Sequence, residues 1–107
     1  MLKILAIERE ILNLSSEEAR ARAYEPHLQA EAFRVWELYK SGIFREIYFD
    51  QHKHTAVIIM ECEDVEEAED HLKTLPLVKE GLIDFQIIAL EPYPGFSRLF
   101  AKDWERI

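Results

Sequence analysis

The stretch from Ile43 to Cys62 constrains the fold more than any other, because two extended runs follow one another there with no helix between them. IFREIYFD, residues 43–50, carries three aromatics and two isoleucines and repeats at period two rather than 3.6. HTAVIIMEC, residues 54–62, has the continuous apolar middle of a strand covered on both faces. Gln51, His52 and Lys53 between them suit a hairpin connection, although the Asn-Gly or Asp-Gly of a tight turn is missing. A hairpin in the middle of 107 residues leaves room on either side for about one strand and one helix.

The flanks supply them. Leu2 to Arg9 is rich in Ile and Leu and too short for a helix, so it reads as a buried strand. Ser15 and Ser16 precede Glu17 and Glu18, which gives an N-cap and first-turn acids to a helical lead-in. Pro26 interrupts that lead-in, and the main helix is expected from near Glu25 to Lys40, with Leu28, Ala32, Val35 and Tyr39 as its apolar stripe. Gly42 stops it. Asp64, with Glu67 three residues on, approximates a capping box for a second helix whose inward stripe is Val65, Ala68, Leu72 and Leu75. Pro76 closes this helix by about Thr74, with Leu75 and Leu77 anchoring either side of the junction, and Gly81 turns the chain into a last strand, Leu82 to Glu91.

The order strand, helix, strand, strand, helix, strand is that of an α+β, ferredoxin-like βαββαβ domain: a four-stranded antiparallel sheet with both helices on one face. One such domain accounts for residues 1–107, with 92–107 as a C-terminal extension. The helix-free face then carries more apolar surface than a monomer tolerates, which predicts a homodimer or a higher homo-oligomer. In the extension, Phe96, Phe100 and Trp104 recur at fourfold spacing, a short amphipathic helix that needs a surface to cover, its own protomer's or its partner's.

Thirteen Lys and Arg against 21 Asp and Glu give a net charge of −8, with no basic cluster, so nucleic acid is not expected as a partner. A single cysteine, Cys62, rules out an internal disulfide and fits a reducing compartment. The opening MLKILAIERE lacks a signal-peptide pattern, and no apolar run approaches the length of a membrane span; a cytoplasmic location away from membranes is expected.

The run LYKSGIFREIYFDQHKHTAVIIMECEDVEEAEDHLKTLPLV, followed by the closing strand and EPYP, resembles the muconolactone isomerase-like members of the dimeric α/β-barrel superfamily. The shared features are the glycine ending the first helix, Arg45 in the second strand, Asp64-Val65 at the start of the second helix, the Leu75-Pro76-Leu77 junction, and Pro92 after the last strand. The resemblance spans about residues 25–95. It implies that two protomers join their sheets into one barrel and that each holds a small-molecule pocket, between sheet and helices or near the subunit boundary.

Alternation along the second strand puts Glu46 and Tyr48 on one face and Arg45 on the other, among Ile43, Ile47 and Phe49. A carboxylate flanked by aromatics loses solvent and gains proton affinity, so Glu46 is the expected proton carrier and Tyr48 its hydrogen-bonding companion; a solvated face or a dimer salt bridge accounts for them equally. Arg45 suits a substrate carboxylate or an acid across the dimer. His27 at the helix start, Trp36 and Tyr39 on the helix, and His54 after the hairpin are the remaining candidates for substrate binding. His52 and His54 form an H-x-H pair without a predictable third ligand, so no metal is expected. The resemblance implies, as the expected activity, a cofactor-independent, isomerase-like proton transfer on a small carboxylated or aromatic-derived metabolite. The alternatives are a non-catalytic ligand-binding or scaffold module and a cofactor-free oxygenase.

Overall fold

A computed structural model describes residues 1–11 and 16–100; Ser15 and Trp104, used in the expectations above, lie outside the described residues. Its elements are β1 (Leu2–Glu10), α1 (Glu17–Tyr24), a 3-10 turn (Glu25–His27), α2 (Leu28–Lys40), β2 (Phe44–Phe49), β3 (Ala56–Cys62), α3 (Val65–Leu72), α4 (Pro76–Lys79), β4 (Ile83–Leu90) and a terminal 3-10 segment (Pro94–Phe100). The strands form one antiparallel sheet in the order β2-β3-β1-β4, the ferredoxin-like arrangement.

Local chemistry explains most boundaries. Ser16 caps α1 by accepting from the Ala19 N–H at 3.1 Å, and Pro26 sits in the 3-10 turn that re-aims the chain into α2. Asp64 Oδ1 accepts from the Glu67 N–H at 2.8 Å while Glu67 Oε2 accepts from the Glu63 N–H at 2.7 Å, a reciprocal cap on α3 worth about 1 kcal/mol. Gly42 at φ +90° and Gly81 at φ +72° take left-handed turns that other residues adopt only with strain.

Two expectations need correction. Pro76 does not merely end a helix: Leu75 is extended and Pro76 opens α4, a single turn. Strict alternation in β2 also fails, because a bulge between Phe44 and Glu46 inserts an extra residue. Arg45 therefore does not share the side of Ile47 and Phe49; it lies exposed, with its Nε 3.9 Å from the Glu61 carboxylate on β3.

The core lies between the sheet and the helices. Ile4 and Ala6 of β1, Phe44 of β2, and Ile58 and Met60 of β3 are buried against Leu38, Ala68, Leu72 and Leu75. Truncating one of the large side chains to alanine costs about 2–5 kcal/mol. The opposite face of the sheet carries Leu5, Ile7, Val57, Ile59, Ile88 and Leu90, which pair across the strands (Leu5 with Ile59 and Ile88, Ile7 with Val57) and remain partly exposed. Among the described residues, no helix is long and apolar enough to cross a membrane.

Candidate functional site

Under α2, on the helix side of the sheet, lies a cavity of about 430 Å³. Its floor is Ile47, Ile58, Ile83 and Phe85. Leu28 and Val35 of α2 close one side, and Leu75 and Leu77 of the proline junction close another. Ala32 on α2 and Ala56 on β3 also border it, and their short side chains leave the space open. Leu28, Phe49 and His54 are exposed at the mouth.

Two carboxylates enter this apolar enclosure. Glu8 follows Ile4 and Ala6 on the inner face of β1, and its Oε1 accepts from the Ala56 N–H at 2.9 Å. Glu31 lies between Leu28 and Val35 on α2, and its Oε1 accepts from the Leu77 N–H at 2.9 Å, so it also caps α4. No other hydrogen bond to either carboxylate is found among the described residues, and no buried side-chain oxygen there lacks a partner; the second oxygens are accessible. Burial pushes the Glu8 carboxyl up, the Ala56 N–H works against the rise, and Glu10 adds to it. Burial likewise pushes Glu31 up, opposed by the Leu77 N–H, reinforced by the charge of Glu8 and reduced by that of His27. The Tyr24 hydroxyl, also on the wall, is raised by burial and then by Glu10 and Glu8.

The residues singled out in the sequence are distributed over four places. His54 borders the cavity, held at φ 55° by the end of the hairpin, where Asp50 Oδ1 accepts from the His52 and Lys53 N–H groups at 2.8 and 2.7 Å. His27 is half-buried in the 3-10 turn, near enough for its charge to act on Glu31. Trp36, Tyr39 and Arg45 meet elsewhere, with Lys40, around a shallow hollow of about 350 Å³ at the end of α2. Glu46 and Tyr48 are exposed on the helix-free sheet face, outside the cavity, with the Tyr48 hydroxyl donating to Glu46 Oε1 at 2.7 Å. That bond and the charge of Glu46 push the Tyr48 hydroxyl up. No group of three metal-ligating side chains occurs among the described residues.

Glu8 and Glu31 were not singled out, yet both left a trace in the sequence. Each is an acid at a position whose period assigns it to the buried face: Ile4, Ala6, Glu8 at period two, and Leu28, Glu31, Ala32, Val35 at helical spacing.

No protein-family model matches the chain, and no curated protein matches it in sequence. Among solved structures, the crystal structure of muconolactone isomerase is similar with a TM-score of 0.64, at 18% sequence identity, over 86% of this chain and 91% of that one. The resemblance drawn from the sequence therefore holds for the fold, an α+β ferredoxin-like domain of the kind found in muconolactone isomerase.

Proposed function

We propose that this chain binds a small, largely apolar molecule in the cavity beneath α2 and moves a proton on it, with Glu8 as base and Glu31 as acid. One observation carries this reading: two carboxylates, each fixed through one oxygen to a backbone N–H and accessible through the other, border a largely apolar cavity of about 430 Å³. Such an enclosure is the usual form of a small-molecule site. Carboxyls held there gain proton affinity, and neighbouring ones do not ionise independently, which divides them into an acid and a base. In the step proposed, a C–H bond next to a carbonyl or double bond breaks, its proton goes to Glu8, the electron pair shifts along the unsaturated system, and Glu31 delivers a proton at the far end. Backbone anchoring keeps both oxygens in place while the charge moves.

The helix-free sheet face belongs, in the same reading, to a second protomer. Its aliphatic surface supports this. The exposed Tyr93, Phe96 and Phe100 of the C-terminal extension would cover part of that partner. Glu46 and Tyr48 then serve the subunit boundary and not the proton transfer.

Deuterium incorporation into 2-tetralone, a neutral enolisable ketone, followed by NMR in D2O, tests the chemistry. The expected result is exchange above the buffer rate that Glu8→Gln abolishes while 2-tetralone still binds. Binding without accelerated exchange would reduce the site to a ligand-binding module.

A further inference from the structure

The charges around the cavity restrict what can enter it. Glu8 and Glu31 border the space, Glu10 acts on Glu8 from the end of β1, and no Lys or Arg is among the described residues of the wall. Nearby cations are engaged elsewhere: Arg20 Nε lies 3.3 Å from Glu10, and Arg34 bonds Thr74 at 2.8 Å and Glu37 at 3.2 Å. Lys40 and Arg45 border the separate hollow at the end of α2. His54 at the exposed mouth and His27 beside Glu31 are the basic groups within reach. The whole chain adds a charge of −8.

We infer that the cavity selects for ligand charge: it takes uncharged or positively charged apolar molecules, more tightly where they donate a hydrogen bond to the accessible oxygens of Glu8 and Glu31, and it rejects carboxylates. A carboxylate there would meet the charge of Glu8, the base of the pair, in a poorly solvated space with no guanidinium or ammonium to pair with. The carboxylated metabolite that the fold resemblance suggested is thus the wrong class for this site. Hydroxyl-bearing and amine-bearing aromatics are the right one.

The inference rests on the cavity being the ligand site, and the test separates the two. Calorimetric titration at neutral pH uses 1-naphthol, 1-naphthylmethylamine and 1-naphthoate, which share a ring system and differ in charge. The naphthol and the amine are expected to bind at least about tenfold more tightly than the naphthoate. Glu8→Gln should narrow that gap by strengthening naphthoate binding, and Ala32→Phe, which narrows the cavity, should weaken all binding at this site. Naphthoate binding as tight as naphthol, and sensitive to Ala32→Phe, overturns the charge selection and leaves the site standing. No binding by any probe, or binding indifferent to Ala32→Phe, overturns both.

Discussion

Ile59→Lys is the sharpest test of the proposed two-sheet dimer. Ile59 lies on the helix-free face, between Leu5 on β1 and Glu46 on β2 in the strand register, while its neighbours Ile58 and Met60 are buried under the helices. The isolated protomer should tolerate the change, because the lysine stem can lie along Leu5 and its ammonium can reach Glu46, a cross-strand pair worth about 0.2–1 kcal/mol. A two-sheet dimer should not. Ile59 is already more than half-buried in one protomer, so covering the rest contributes at most about 1 kcal/mol, about a third of what full burial of an isoleucine contributes. Desolvating an ammonium costs at least as much again. A twofold interface carries the substitution twice, so the loss comes to about 3–4 kcal/mol or more, at least about a hundredfold in the dimer dissociation constant. Light scattering coupled to size exclusion, run over a hundredfold range of concentration, reads this as a fall from twice 12.7 kDa toward 12.7 kDa at unchanged circular dichroism. A wild-type protein that is monomeric throughout, or a variant that keeps the wild-type mass, refutes the assignment of this face.

Stability should fall as pH rises, because Glu8 and Glu31 both titrate above their ordinary 4.5: the folded state holds their protons more tightly, so their contribution is full below that value and is lost through the raised ones. Urea melts from about pH 4 to about pH 8 should show a shallower decline for Glu31→Gln, moderated by solvent at the mouth, and parallel profiles would remove the case for a desolvated Glu31. Cys62 is 1% exposed, and burial, then Glu67 and Asp64, push its thiol up to about 11. A thiol reagent at about pH 8 should therefore label it only after denaturant is added; rapid labelling of the native protein would contradict its burial.

Features decided by short-range chemistry were legible in the sequence. Ser16, Asp64 and Gly42 punctuate helices through bonds to residues a few positions away, and the order of elements followed from periodicity alone. Arg45 was misplaced because a bulge inserts a residue without any signature in IFREIYFD. Glu46 drew attention through its aromatic neighbours along the strand, whereas the strand register puts it on the helix-free face, outside the cavity. Glu8 and Glu31 owe their significance to partners 48 and 46 residues away, the N–H groups of Ala56 and Leu77, which no local pattern announces. The Leu75-Pro76-Leu77 junction was recognised as a fixed turn, but its part in walling the cavity emerges only when α4 is seen docked on Glu31.

Odd and even positions of β1 lead separate lives: Ile4, Ala6 and Glu8 look inward, Leu5 and Ile7 outward. Point changes of one parity can accumulate without disturbing the other, which lets the chemistry of the cavity wall and that of the helix-free face drift independently over generations. Loss of a single codon within β1 does the opposite, because a one-residue slip would bring Arg9 where Glu8 belongs and turn the carboxylate outward, damaging both at a stroke. Insertions and deletions should accordingly be far scarcer in this strand than replacements.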